Sequence, residues 1–194
     1  MVLEVKEKVT DKRSAIFDAT LRMVIENGFV ATPMSLIAVK AGVAAGTIYR
    51  YFENKEHLLN ALYKELRERM SQVIISSFIE GLAPFDQFKL IYANVLKYYI
   101  EKPDEFQFLE KFSSSAYITE QTLDETSLTL APIVTIFNSN DRTLVFKQMP
   151  VEMLFAHVYG PMISLMNLKI DGKIELNDNE IEKSAEATWD AITQ

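Results

Sequence analysis

Thr47, Tyr49, Arg50 and Tyr51 place three hydroxyls and a guanidinium within five residues, and Lys55 adds an ammonium four residues on. Hydroxyls and cations at this density suit phosphate oxygens, with one or two groups able to reach base edges in a major groove. Directly before them stand Ala44, Ala45 and Gly46. Residues this small let a helix tip approach another surface closely, and its N–H groups and positive dipole end favour a phosphate. A core would not accept Arg50, and a solvated surface would not collect Tyr49, Tyr51 and Phe52. The bland alternative is an ordinary helical corner carrying a surface Tyr-Arg pair.

The flanking sequence supplies elements to hold that tip. Ile16, Ala19, Thr20, Met23 and Val24 recur at i, i+3, i+4, i+7 and i+8, one face of a helix that Asn27-Gly28 ends. Thr32-Pro33 then reads as an N-cap hydroxyl followed by proline at the first helical position. A short helix over about 33–40 presents Leu36, Ile37 and Lys40 on one side, Gly42 interrupts it, and a second short helix covers about 44–52. Two short helices joined by a glycine turn form a helix-turn-helix. Leu36, Ile37, Val43 and Ile48 are expected to lock the pair against the first helix, with Phe52 also facing in. Asn54 is the expected N-cap of a long helix whose apolar face is Leu58, Leu59, Leu62, Tyr63 and Leu66.

The remainder also has helical periodicity. Helices are expected over about 85–101, ended by Pro103, over 104–112 and 117–137, from Pro150 to about 168, and over 179–192, with a loop at 138–142. There is no convincing strand and no internal repeat, so the fold class is all-α. The first 70 residues carry 11 Lys+Arg against 9 Asp+Glu, a net of +2, whereas the other 124 carry 9 against 18, a net of −9. That asymmetry fits a module tolerant of polyanions joined to one that is not. Cysteine is absent and there are only two histidines, which leaves no basis for a thiolate or histidine metal site, a cofactor or a cysteine nucleophile. The chain lacks a signal-peptide pattern and any apolar run near the roughly 20 residues of a membrane span, so a cytoplasmic protein with no membrane association is expected.

The stretch TPMSLIAVKAGVAAGTIYRYFENKEHLL resembles the DNA-binding signature of the TetR family of bacterial transcriptional regulators, in its A-G-V-x-x-G-T-I-Y-x-Y-F run followed by N-K-E-x-L. The likeness covers about residues 12–66. It implies an N-terminal three-helix helix-turn-helix domain (1–54), a linking helix over about 55–80, and an all-helical domain (81–194) for ligand binding and dimerisation, although the charge boundary falls nearer residue 70. It implies that Ala44, Ala45, Gly46, Thr47, Tyr49, Arg50, Tyr51 and Lys55 line the DNA face, joined by Ser35. At Ala44 the family usually has a capping serine, and alanine cannot cap, at a local cost of about 1 kcal/mol. The implied function is a repressor that binds a double-stranded palindromic operator.

A homodimer also follows from mechanism. One short recognition helix makes too few contacts, whereas two about 34 Å apart read successive half-sites. The last two long helices are the expected interface, with Trp189 either anchoring it or packing inside its own subunit. Aromatic and Met residues in the second part, among them Phe108, Phe112, Tyr117, Tyr159 and Met162, would suit a small apolar or aromatic effector, although such residues at helical spacing also make ordinary core. Pro161 cannot donate to the carbonyl of His157, so His157 is expected beside a kink in the pocket wall. The other reading of this domain is one that only dimerises or binds a protein partner. An enzyme is not expected, since no G-x-S-x-G, H-E-x-x-H or P-loop occurs.

Overall fold

The computed structural model describes residues 2–127 and 146–194, with side chains described for 12–126 and 146–194. Among them run nine helices: α1 Val2–Asn27, α2 Met34–Lys40, α3 Ala45–Tyr51, α4 Lys55–Ser76, α5 Pro84–Glu101, α6 Pro103–Phe112, α7 Glu120–Ser127, α8 Val151–Ile170 and α9 Asp178–Ile192. The all-α expectation holds. The described residues add only one isolated bridge, between Phe146 and Thr193. The helix expected over 117–137 begins later, as α7. Its second half and the 138–142 loop lie outside the described residues.

The chain forms two compact units, Met1–Arg67 with Asp104–Glu125, and Glu68–Pro103 with Thr126–Gln194. This differs from the boundaries expected at 54 and 80, because α6 and α7 side with the N-terminal helices. The reason lies in particular contacts. The Asn60 side chain on α4 donates to the Tyr117 carbonyl at 2.8 Å and accepts from the Thr119 amide at 2.9 Å. The Phe29 and Tyr117 ring centroids are 3.9 Å apart. Lys64 pairs with Glu125, and its hydrogen bond, followed by one from Gln121, holds that carboxyl below the usual carboxylate range.

The core of the first unit follows the sequence pattern. Ile16, Ala19, Thr20, Met23 and Val24 of α1 are all buried, as are Leu58, Leu59, Leu62, Tyr63 and Leu66 of α4. Ile48 and Phe52 anchor α3, with Phe52 at 5.5 Å from the Phe17 ring. Two details depart from expectation. Leu36 is 45% exposed, because α2 turns Met34, Ile37 and Ala38 inward. Thr32 does not cap α2: it is buried, and its hydroxyl donates to the Gly28 carbonyl at 2.8 Å with that of Met23 at 3.2 Å.

In the second unit α5, α8 and α9 pack together. Tyr92, Leu96 and Tyr99 of α5, Val158, Met162 and Met166 of α8, and Ile181, Ala185 and Ile192 of α9 are buried. The Tyr92 and Ser184 hydroxyls lie 2.7 Å apart. Trp189 packs inside its own subunit, against Phe85 at 5.4 Å, Phe88 at 5.2 Å and Phe146 at 5.9 Å, and is half-buried there. Lys147 donates from Nζ to the Asp190 and Ala191 carbonyls at the end of α9, where a cation is favoured.

Candidate nucleic-acid interface

The turn between α2 and α3 is fixed by backbone alone. Gly42 sits at φ +66°, its amide donates to the Val39 carbonyl at 3.1 Å, and the Val43 amide donates to that of Ala38 at 2.9 Å. This 5→2 and 6→1 pair is a Schellman close, which puts a residue in the left-handed region where glycine has no Cβ penalty. Ala44 follows in an extended conformation, and α3 starts without a side-chain cap, as the alanine requires. The Thr47 amide is satisfied by the Ala44 carbonyl at 2.8 Å.

The resulting tip points away from its own chain. Ala44, Ala45 and Gly46 are exposed, Thr47 and Tyr51 are half-buried, and Tyr49 is 55% exposed. Arg50 is exposed and pairs with none of the described residues. Ser35 is exposed on α2. A Cβ built on Gly46 would meet nothing within 4 Å. Glycine inside a helix is about 0.5–1 kcal/mol less favourable than alanine, and nothing inside this chain requires it here.

Lys55 stands apart from the other expected DNA-facing residues. Its Nζ donates to the Phe29 carbonyl at 2.7 Å and lies 4.1 Å from the centre of the Phe29 ring. The ammonium is therefore engaged within its own unit, tying the start of α4 to the α1–α2 turn. Asn54 caps α4 as expected, accepting from the His57 amide at 2.8 Å. Phe29 is the hub of this corner, in contact with Lys55 and Tyr117. The local pattern shows an aromatic residue after a helix end, but its partners Lys55 and Tyr117 are 26 and 88 positions away.

The residues expected to meet an effector separate. Phe108, Phe112 and Tyr117 belong to the first unit, with Phe108 and Phe112 buried and stacked at 4.8 Å and Tyr117 at 6.3 Å from Phe112. His157, Tyr159 and Met162 belong to the second. Met162 is buried and the Tyr159 hydroxyl is 3.5 Å from that of Tyr99. His157 and Pro161 are exposed on α8, which corrects the pocket-wall expectation for His157: its ring faces outward within its own chain. No group of three or more potential metal ligands occurs among the described residues.

A buried anchor helix, a glycine-closed turn and an outward second helix bearing hydroxyls and an unpaired guanidinium define a helix-turn-helix DNA-binding protein. Comparison with known proteins gives the family. Residues 16–62 match "Bacterial regulatory proteins, tetR family" and residues 63–194 match "Tetracyclin repressor-like, C-terminal domain". The chain belongs to the TetR family of DNA-binding transcriptional regulators.

A TetR family transcription regulator from Marinobacter aquaeolei VT8 superposes with a TM-score of 0.90 at 26% identity, covering 97% of this chain and 98% of that one. An uncharacterized HTH-type transcriptional regulator of Haemophilus influenzae is 30% identical over 109 residues, 56% of this chain and 58% of that protein. The fatty acid metabolism regulator protein of Bacillus subtilis is 48% identical over 63 residues, 32% of this chain and 31% of its own length. The match thus spans less than two-thirds of either curated relative. Both relatives are named as regulators, in keeping with a protein that is not an enzyme. No described helix is long and apolar enough to cross a membrane.

Proposed function

We propose that this regulator is a cytoplasmic repressor that binds a palindromic operator as a homodimer and is released by a small apolar or aromatic effector. The observation that carries the DNA contact is the open tip of α3: Gly46 has space that no neighbour in the chain uses, and Arg50 beside it has no described partner. Tyr49, Arg50, Thr47 and Ser35 are assigned to phosphates and base edges, with Ala44, Ala45 and Gly46 allowing the close approach. Tyr51 lies at the inner margin of this surface. Lys55 is assigned to positioning α4 rather than to the strands.

Support for the dimer comes from α8, which exposes Met153 (50%), Leu168 (38%) and Ile170 (40%) along with Ala156 and Pro161. Apolar groups gathered in this way on one helix suit burial against a second copy. Support for the effector comes from the ring cluster of Phe108, Phe112 and Tyr117 within the first unit.

Selection of duplexes from a random library with the purified chain tests this reading. Inverted repeats with half-sites one or more helical turns apart are expected. Arg50→Ala should fail to enrich them. Met153→Glu should shift the chain to monomer in light scattering and weaken binding at matched salt. Enrichment of a single unrepeated half-site, or an unchanged yield with Arg50→Ala, would defeat the proposal.

A further inference from the structure

The helix α4 carries four Lys and Arg residues, and three of them are accounted for. Lys55 donates to the Phe29 carbonyl, Lys64 pairs with Glu125, and Arg69 has a partner. Arg67 is different: its Nε is enclosed and has no hydrogen-bond acceptor among the described residues. Folded proteins leave few enclosed donors unpaired, and a guanidinium cannot shed its proton to escape the penalty. An acceptor supplied by a bound molecule would relieve this penalty.

The surroundings indicate its character. Arg67 lies seven residues after Asn60 and three after Lys64, on the same face of α4. Asn60 and Lys64 bind the 117–125 segment, so this face of the helix looks towards it. That segment brings polar groups inward: Thr122 is 2% exposed, and its hydroxyl is 3.0 Å from that of Thr119. The same unit contains the stacked Phe108 and Phe112 and the Tyr117 ring. The result is a guanidinium with an enclosed Nε that no described residue pairs, in a unit with an apolar aromatic cluster.

We propose that Arg67 anchors the carboxylate of an amphiphilic monoanionic effector. This rests on the effector reading above and sharpens it from a neutral apolar ligand to an acid. The two oxygens of a carboxylate match the guanidinium fork, and the bond is charge-assisted. A phosphate dianion would call for a second free cation, and Lys64 is already paired with Glu125.

Titration calorimetry on the full chain with two matched pairs, octanoate against 1-octanol and 2-naphthoate against 2-naphthol, tests it. At least one acid is expected to bind about tenfold or more tightly than its alcohol. Arg67→Met should bring the acid down to the level of the alcohol and leave the alcohol unchanged, whereas Arg67→Lys should retain part of the preference. Without ligand, Arg67→Met should melt no lower than the parent, because it removes an unpaired donor. Equal affinity for acid and alcohol, or an acid preference that survives Arg67→Met, overturns the inference while leaving an apolar effector standing. No binding by either pair overturns both. A marked fall in the melting temperature of both Arg67→Met and Arg67→Gln would show the guanidinium to be structural and also overturns it.

Discussion

Lys55 and Arg50 are both cations at the expected DNA face, and the structure gives them opposite behaviour on substitution. Lys55→Met removes a charged donor from the Phe29 carbonyl, a bond of 2.7 Å, and a cation 4.1 Å from the centre of the Phe29 ring. Hydrogen bonds to charged groups contribute about 1.5–3 kcal/mol and an exposed cation–π pair about 0.5–1 kcal/mol. The ammonium is half-buried, so the lower part of the combined range applies, about 2 kcal/mol. For a chain of this size that lowers the melting temperature by about 4–8 °C. Arg50→Ala breaks no described interaction, so its melting temperature should match the parent. Its effect belongs to binding: the slope of log K against log salt should fall by about 1 per protomer for each phosphate left without its cation. Thermal unfolding at fixed protein concentration, paired with anisotropy titrations between 50 and 200 mM salt (roughly the range over which such electrostatic pairing dominates), separates the two. The reasoning fails if Lys55→Met melts like the parent yet loses salt dependence, for the ammonium would then serve the strands and not Phe29.

Asn60→Ala should destabilise the chain by about 2–3 kcal/mol, since three peptide groups lose a partner at about 1 kcal/mol each: Glu56, Tyr117 and Thr119. Denaturant unfolding measures it, and amide exchange at Thr119 should accelerate. Gly42→Ala meets no steric neighbour within 4 Å, so its cost is the left-handed backbone alone, about 1–2 kcal/mol by the same measurement.

Short-range order is legible in the sequence and long-range pairing is obscure. Ile16 to Val24 and Leu58 to Leu66 declare their buried faces because helical period is a local property, and Gly42 declares its turn for the same reason. Leu36 is misplaced by pattern because α2 is seven residues long, and two overlapping faces compete in so short a run: 34, 37 and 38, or 36, 37 and 40. Thr32 reads as a cap because a threonine before a proline has that local meaning, but its hydroxyl finds carbonyls of the preceding turn and of α1 instead. Lys55, Asn60 and Trp189 cannot be assigned from pattern. Their partners lie 26 to 104 positions away and come together only through tertiary packing. A visible hint does exist for Asn60, the one amide in an otherwise apolar stripe of α4.

The grouping of residues 104–125 with the amino-terminal helices bears on how chimeras between such regulators should be spliced. A graft cut once, after Arg67, would transplant Phe29 without the Tyr117 ring and Asn60 without Tyr117 and Thr119 to satisfy it. The foreign host would have to supply an aromatic and two peptide groups in the same places by chance. A graft that takes the α6–α7 stretch along as a second insert carries its own counterpart. In this protein the exchangeable reading head is a discontinuous piece of chain.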